Sequence, residues 1–195
     1  MSYWNDKRVV VTGGAGFLGK HVVENLTESG CEQIFVVRSS DYDLTKQDAA
    51  ADLFADLRAG KGGWSNGTDG NKSPVDVVIH MAGLVGGIAA NQARPADYFY
   101  QNIMMGVLTM HESWKAGATK FVAAGAGCGY PEHVSMPQKE ENFWDGYPQK
   151  DSAPYSLAKR MLHIQSIAYW DQHGFPAIAE VIAALQGASS ALGLD

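Results

Sequence analysis

A short β-branched run passes directly into a glycine-rich segment near the start of the chain. Val9-Val10-Val11 has the continuous apolar character of a buried parallel strand, and Gly13-Gly14-Ala15-Gly16-Phe17-Leu18-Gly19 follows it. Gly13 permits a tight turn, Gly16 lets the backbone approach a ligand, and Gly19 lets the next helix pack closely on the sheet. This succession of strand, glycine turn and helix favours an α/β fold with a phosphate-binding turn, and a glycine-rich turn without a ligand is the alternative.

The rest of the sequence continues the alternation of strand and helix patterns. Strands are predicted at 7–12, 33–37, 75–79 and 120–124, and helices at 17–29, 46–59, 95–115 and 155–173. Such alternation is typical of a parallel sheet covered by helices on both faces. The prediction is therefore a Rossmann-like, doubly wound α/β domain over residues 1–175, followed by a divergent tail over residues 176–195.

Two stretches interrupt this rhythm. Residues 60–74 are rich in glycine and small polar residues and are predicted to form a flexible excursion between a helix and a strand. Residues 125–153 are long for a connection and are rich in proline, glycine and aromatic residues. Long loops at the carboxyl ends of parallel strands usually carry the sites of α/β proteins, so the second stretch is expected to contribute to a site.

Composition excludes several classes of partner. The 195 residues have a net charge of −6 and no basic stripe, which argues against nucleic acid. No run is long enough for a membrane span, and the polar N-terminus does not resemble a secretory signal. Two cysteines do not make a disulfide framework, which favours a cytoplasmic location. The histidines show no spacing typical of a metal site, so no metal is expected.

The residue after the second predicted strand indicates which dinucleotide the site would take. Enzymes that use NAD place a carboxylate at this position to bind the ribose hydroxyl. This chain has Arg38 there, followed by Ser39 and Ser40. A guanidinium suits a 2′-phosphate, so the sequence predicts NADP(H), with a solvated surface arginine as the alternative.

A tyrosine and a lysine share one face of the last predicted helix. Tyr155 and Lys159 stand four residues apart and therefore project from the same side. A nearby ammonium stabilises a phenolate, so Lys159 is expected to lower the pKa of Tyr155 from about 10 toward the working pH, as acid–base catalysis requires. The pair predicts hydride and proton transfer at a carbonyl or alcohol.

Together these segments resemble the extended short-chain dehydrogenase/reductase superfamily, in the branch of the GDP-L-fucose synthases. Enzymes of that branch take GDP-4-keto-6-deoxy-mannose through 3,5-epimerisation and then reduce C4 with NADPH, a step of GDP-L-fucose biosynthesis. The resemblance covers residues 7–175 and is carried by residues 12–19, 38–44, 80–88, 91–102, 128–131 and 140–159.

The resemblance implies roles for individual residues. Tyr155 would be the general acid for the C4 oxygen, Lys159 would assist it and bind the nicotinamide ribose, and Cys128 would be the epimerisation base. A buried structural cysteine is the alternative for Cys128. His80 is expected to be a packed residue at the end of a strand. The implied cofactor contacts are Gly13, Gly16, Phe17, Leu18, Gly19, Arg38, Asp43, Leu44, Ala82, Gly83, Leu84, Asn102, Tyr155 and Lys159, and the implied substrate contacts are Val85, Gly86, Gly87, Ile88 and Asn91.

Two departures from the family pattern bear on activity. The family has a serine or threonine shortly before its Tyr-Pro pair, where a hydroxyl shares the C4 oxygen with the tyrosine, and this chain has Ala126. Family members also continue past the tyrosine helix into a strand, a histidine acid and a substrate-capping domain. Residues 177–185 lack the expected turn and fit a helix as well as a strand, so we expect the capping domain to be largely missing and a sheet edge to be exposed.

Three functions remain open at the level of sequence. The chain is an epimerase/reductase of the GDP-L-fucose synthase type, a non-catalytic remnant that still binds NADP, or another nucleotide-sugar epimerase or dehydratase. The resemblance also implies a GDP-sugar as the partner and a homodimer formed through the helices that begin near Pro95 and Tyr155.

Overall fold

A five-stranded parallel sheet forms the centre of the computed structural model, which describes residues 2–61 and 75–180. Its strands run in the spatial order β2-β1-β3-β4-β5, and every neighbouring pair is parallel. The strands are β1 (Arg8–Thr12), β2 (Gln33–Val37), β3 (Val77–His80), β4 (Lys120–Ala124) and β5 (Ala177–Glu180). The doubly wound α/β fold predicted from the sequence is confirmed.

Helices cover both faces of this sheet. They are α1 (Phe17–Glu28), α2 (Gln47–Arg58), α3 (Ile88–Ala93), α4 (Pro95–Lys115) and α5 (Ala153–His173). Side chains on β1 alternate between the faces, so Val9 and Val11 pack in the cluster that includes Leu26 of α1. Val10 packs in the larger cluster with residues of α2, α4 and α5, which lie on the other face. All three valines are fully buried, as the continuous apolar run predicts.

The packing of α4 against α5 fixes the position of the second predicted motif. Gly106 of α4 faces Leu162 of α5, and a methyl group added at Gly106 would overlap the Leu162 side chain. Two helices can approach this closely only where one of them has no side chain. Leu162 and Ser166 are also buried, so α5 is held along its length and presents Tyr155 and Lys159 from a fixed frame.

Most of the predicted elements agree with the structure to within two residues. Gly30 and Gly174 have φ values of +90° and +63°, and they follow the ends of α1 and α5 as C-terminal glycines commonly do. The short helix α3 was not predicted. The sequence left the C-terminal segment open between helix and strand, and residues 177–180 form a strand.

Two predictions extend over segments outside the described residues. Of the glycine-rich excursion at 60–74, only Gly60 and Lys61 are described, and of the divergent tail at 176–195, residues 176–180 are described. Among the described helices, none has the length and apolar character needed to cross a membrane.

Candidate active site

The carboxyl ends of β1, β3 and β4 open onto one cleft of about 1090 Å³. Strand order reverses between β1 and β3, and a crevice at such a position is where doubly wound sheets bind ligands. Many of the predicted site residues line this cleft. Its lining includes Gly13, Gly16, Phe17, Leu18, Gly19, Arg38, Asp43, Leu44, Ala82, Gly83, Leu84, Val85, Ala126, Tyr155 and Lys159.

The glycine turn after β1 is packed against backbone on two sides. Gly13 has a φ of +70°, and a Cβ atom there would lie 2.7 Å from the backbone nitrogen of Ala82. A Cβ atom at Gly19 would lie 2.6 Å from the Cα atom of Gly14. Because backbone atoms cannot move aside as a flexible side chain can, only glycine fits at Gly13 and Gly19. The turn therefore brings unpaired N–H groups at the start of α1 to the cleft, which suits a phosphate group.

A buried pair at the ends of β1 and β3 holds the facing wall of the cleft. The hydroxyl of Thr12 lies 2.9 Å from Nδ1 of His80 and accepts a hydrogen bond of 3.2 Å from the Ala82 N–H. His80 is fully buried and stacks on Phe121, and burial lowers its pKa to about 3, so the imidazole stays neutral. The prediction that His80 is a packed residue is confirmed.

Asn102 of α4 fixes the backbone that follows Ala82. Its amide group donates a hydrogen bond of 3.0 Å to the Leu84 carbonyl, and its Oδ1 atom accepts a hydrogen bond of 3.1 Å from the Leu84 N–H. The same Oδ1 atom would lie 2.9 Å from a Cβ atom at Gly83, and Lys159 Nζ would lie 3.3 Å from it. Asn102 thus acts on the cleft by positioning residues 83–84, although the sequence predicted it only as a cofactor contact.

The other end of the cleft is formed by the segment after β2. Arg38 is exposed there and directly follows the buried Val37. The carboxylate of Asp43 is already engaged, because it accepts hydrogen bonds from the N–H and hydroxyl of Thr45 and pairs with Lys46 at 3.2 Å. These contacts lower the pKa of Asp43. Leu44 packs in the core beneath this wall. Asp43 forms no ion pair with Arg38 within the described part of the chain, so the Arg38 guanidinium is available to a ligand at this end of the cleft.

The predicted substrate loop lies at the rim of the cleft rather than inside it. Val85 lines the cleft and is 71% exposed, whereas Ile88 is 52% exposed and lies outside the lining. Asn91 is buried, and its amide group donates 3.1 Å to each of the Gly86 and Gly87 carbonyls. A methyl group at Gly86 would meet the Tyr98 hydroxyl. Asn91 thus shapes this loop from beneath.

Tyr155 and Lys159 line the cleft, and Cys128 lies close enough to interact electrostatically with both. Burial has the larger effect on both other groups, and the negative charge of Cys128 adds to the rise in the pKa of Tyr155 while it opposes the fall in the pKa of Lys159. Cys128 is exposed on a single 3₁₀ turn, Gly127–Gly129, and Gly127 lines the cleft. Lys159 is buried, and its ammonium donates to the Ala124 carbonyl at 3.4 Å. The alternative of a buried structural cysteine does not hold for Cys128.

The expected effect of Lys159 on Tyr155 is wrong for this structure. Burial raises the pKa of Tyr155 to about 12, with a smaller contribution from the charge of Cys128. Burial also lowers the pKa of Lys159 to about 8, against its ordinary 10.5. Spacing along a helix shows which side chains share a face but not how far each is removed from water, and here both causes that act on the Tyr155 pKa raise it. A phenol that stays protonated is suited to donate a proton to a substrate oxygen.

Ala126 forms part of the cleft wall. It lines the cleft together with Tyr155 and Lys159, as the family hydroxyl would. Its backbone is extended, with φ −148° and ψ 134°, a conformation that serine and threonine adopt without strain. The backbone at residue 126 would therefore accept serine or threonine, whose hydroxyl the sequence does not supply.

Sequence analysis missed Arg160, which follows Lys159 directly. An arginine on a long helix normally reaches solvent, yet Arg160 is only 4% exposed. Nothing in the spacing of residues indicates this, because its burial depends on how residues 125–153 fold over α5. Among the described residues, no cluster of three or more histidine, cysteine or acidic side chains is arranged to hold a metal ion.

Comparison with known proteins identifies relatives of the whole described domain. Residues 9–191 match the model of the NAD dependent epimerase/dehydratase family. A probable GDP-L-fucose synthase of Drosophila melanogaster is 31% identical over 170 residues, which are 86% of this chain and 48% of that protein. A GDP-L-fucose synthase of Sinorhizobium fredii is 29% identical over 93% of this chain and 52% of its own length. The chain thus spans about half the length of the curated relatives it matches.

Solved structures of nucleotide-sugar enzymes are also similar to this chain. A GDP-mannoheptose C4 reductase from Campylobacter jejuni with NADP bound superposes with a TM-score of 0.79 at 28% identity. The match covers 91% of this chain and 51% of the reductase. A Thermus thermophilus UDP-glucose 4-epimerase, at 22% identity and a TM-score of 0.64, shares the fold.

Proposed function

The chain belongs to the NAD dependent epimerase/dehydratase family, and we propose that it binds NADP(H) and acts as a 3,5-epimerase and 4-reductase on a GDP-linked 4-keto sugar. GDP-4-keto-6-deoxy-mannose is the substrate we propose. The observation that carries the proposal is the single cleft, in which the glycine turn, Arg38 and the Tyr155–Lys159 pair line one cavity of about 1090 Å³. Relatives that act on GDP-sugars support the choice of substrate class.

The residues present fit NADP(H) on the evidence of the cleft itself. Backbone-packed glycines leave space for a pyrophosphate at the start of α1, and Arg38 offers a guanidinium to a 2′-phosphate. We assign to the backbone at Ala82, Gly83 and Leu84 the wall along the dinucleotide, together with Lys159, whose ammonium lies beside Gly83. When bound, NADPH supplies a hydride.

The proposed chemistry divides between two proton carriers. The Cys128 thiolate takes a proton from a carbon next to the 4-keto group and leaves an enolate, and the configuration there inverts when a water molecule returns a proton to the opposite face. Tyr155 donates its phenolic proton to the C4 oxygen during reduction, and its raised pKa keeps that proton in place until then. Lys159 lies on the same helical face and carries the positive charge of this part of the site. We propose that the loop at Val85–Ile88, held by Asn91, contacts the sugar nucleotide.

The proposal is tested by adding substrate to a chain that has first been shown to bind cofactor. Purified protein is titrated with NADPH while nucleotide fluorescence is followed, and GDP-4-keto-6-deoxy-mannose is then added. We expect NADPH oxidation at a rate proportional to protein concentration. Binding without oxidation contradicts the enzymatic proposal and leaves cofactor binding standing.

A non-catalytic NADP-binding protein is the second candidate function. The observation that favours it is Ala126, since the cleft wall carries a methyl group where the family has a hydroxyl. Loss of one preorganised donor of this kind typically lowers a rate by about 10²–10³-fold. A third possibility, another nucleotide-sugar epimerase or dehydratase, would be indicated by turnover of a UDP- or dTDP-linked sugar in the same assay.

Restoring the hydroxyl at residue 126 is expected to raise activity. The Ala126→Thr variant should oxidise NADPH about 10²-fold faster than the wild-type chain, because its hydroxyl can share the C4 oxygen with Tyr155. Ala126→Val is the matched control, since valine has the shape of threonine without the hydroxyl. The rates are measured with saturating GDP-4-keto-6-deoxy-mannose. Equal rates for threonine and valine would show that the hydroxyl has no role here.

Arg38 is expected to determine which dinucleotide binds. The Arg38→Gln variant should bind NADPH about 10–100-fold more weakly, because it loses charge-assisted hydrogen bonds to the 2′-phosphate. NADH has no 2′-phosphate, so its affinity should not change. Fluorescence titration with both nucleotides measures the two constants, and Arg58→Gln, on the exposed end of α2, serves as the control. An equal loss for both nucleotides would place Arg38 outside the 2′-phosphate site.

Two further expectations are proposals of the same kind. We propose a homodimer formed through α4 and α5, supported by exposed apolar side chains at Phe99, Tyr100 and Ile164. Light scattering of the purified chain distinguishes one copy from two. We also propose a cytoplasmic location, consistent with two free thiols at Cys31 and Cys128, and imaging of a tagged chain tests it.

A further inference from the structure

Arg160 connects α5 to two separate parts of the long loop between β4 and α5. Its Nε atom donates to the carbonyl of Gly129, and its Nη1 atom donates to the carbonyl of Gly146 at 3.0 Å. The guanidinium also lies 5.1 Å from the ring centre of Phe143 and 5.2 Å from that of Trp144. One side chain therefore gathers three segments that are distant in sequence.

The burial of this cation is unusual because no carboxylate compensates it. Among the described residues no acidic side chain forms an ion pair with Arg160, and its Nη2 atom is buried without a hydrogen-bond partner. Burial lowers the pKa of Arg160. Two carbonyls and two aromatic faces offset part of this cost. A lysine could not replace these contacts, since an ammonium has no planar fork to reach two carbonyls and stack on two rings.

These contacts act on the turn that carries Cys128. Gly129 follows Cys128 directly, so the bond from Arg160 holds one end of the Gly127–Gly129 turn. The turn also packs closely against Phe143, because a Cβ atom at Gly129 would lie 3.1 Å from the Phe143 ring. Lys159 precedes Arg160 on α5, so the residue that holds Cys128 is adjacent to the residue that faces the cleft.

We propose that Arg160 is a positioning residue, which fixes the Cys128 turn relative to Tyr155 and Lys159 and so permits proton removal from the sugar. This inference rests on the proposed function for its substrate. Its physical claim, that the guanidinium sets the location of the Cys128 thiol, is independent of turnover. Misplacing a reacting group by about 1 Å can cost on the order of 10²-fold in rate, so a small movement of the turn suffices.

The experiment compares Arg160→Lys with the wild-type chain and with Arg58→Lys. Arg58 also donates to a backbone carbonyl, that of Ala116 at 3.2 Å, but it lies on α2 away from the cleft. NADPH binding is measured first, as evidence that each variant folds. If Arg160→Lys does not bind NADPH, Arg160→Gln, which retains one donor, replaces it.

The first readout is deuterium incorporation from D₂O into GDP-4-keto-6-deoxy-mannose at the carbons beside the keto group. We expect the Arg160→Lys variant to lose about 10²-fold in the kcat of this exchange while its KM and NADPH affinity stay near the wild-type values. Exchange at the wild-type rate would overturn the proposal. Equal loss in Arg58→Lys would also overturn it, because the effect would then belong to any arginine-to-lysine change.

The second readout is the rate of Cys128 alkylation by iodoacetamide, with the buried Cys31 as an internal reference. The thiolate is the form that reacts, and its charge interacts with the Lys159 ammonium. Cys128 is already exposed, so a turn that Arg160 no longer holds makes the thiol little more accessible. It does move the thiol away from the Lys159 ammonium. Alkylation should therefore slow severalfold in Arg160→Lys. If the wild-type chain exchanges no deuterium, the proposed function fails, and alkylation alone decides: a slower rate supports positioning, and an unchanged rate overturns it.

Discussion

Replacing Tyr155 with phenylalanine is expected to lower the rate of NADPH oxidation by about 10²–10⁴-fold, the usual contribution of a positioned proton donor. The phenol is half-buried in the cleft and keeps its proton because its pKa is about 12. Phenylalanine preserves the ring, including its edge-to-face contact with Tyr98 at 6.4 Å, and removes only the hydroxyl group that carries the proton. Cofactor affinity should therefore change little, and the loss should lie in kcat.

The control for this prediction is a second tyrosine on the same helix. Tyr169 lies on α5 and contacts His111, away from the cleft. Tyr169→Phe should retain wild-type turnover, which separates loss of the proton donor from disturbance of α5. If the wild-type rate is too low to measure, the same comparison is made in the Ala126→Thr background. Turnover by Tyr155→Phe at its parent's rate would exclude Tyr155 as the proton donor.

Replacing Lys159 with methionine is expected to reduce activity and increase stability at the same time. The ammonium is buried with one hydrogen bond of 3.4 Å, so the folded state carries a desolvation cost that methionine removes. We expect the free energy of unfolding at pH 7 to rise by about 1–3 kcal/mol, and turnover to fall by about 10²-fold or more. Urea denaturation and the NADPH assay measure the two effects.

The stability difference should depend on pH in a defined window. Lys159 has a pKa of about 8 in the folded chain and an ordinary value of 10.5. Below pH 8 both states bind the proton and the full cost is present. Between these values the unfolded state binds more protons, so the free energy of unfolding of the wild-type chain rises with pH relative to that of Lys159→Met. A constant difference from pH 7 to pH 10 would contradict a buried ammonium.

The fold was predictable because its signals are local. Val9-Val10-Val11 is apolar on both faces, as a central parallel strand must be, and Gly30 and Gly174 mark the ends of their helices. The six-residue helix α3 escaped prediction because it is too short to show a period and depends on the contacts of Asn91. The strand at Ala177–Glu180 depends on pairing with β4, which no local pattern contains.

The site was predictable as a set of residues more than as a set of roles. The glycine turn and the Tyr155–Lys159 pair line one cleft, because the topology brings the carboxyl ends of β1, β3 and β4 together. The direction in which the pKa of Tyr155 shifts depends on burial, and the spacing of residues along a helix does not show how deeply a side chain is buried. The structural roles of Asn102 and Arg160 depend on contacts between distant segments and have no local signature.

The order of the strands has a consequence for how the chain acquires its structure during synthesis. β2 pairs with β1, β3 lies on the other side of β1, and β4 and β5 extend that side in the order in which they leave the ribosome. Each later strand is added at an edge of the sheet, and none has to be inserted between two strands that are already paired. The sheet can therefore grow vectorially, and every residue that lines the cleft has been synthesised before β5.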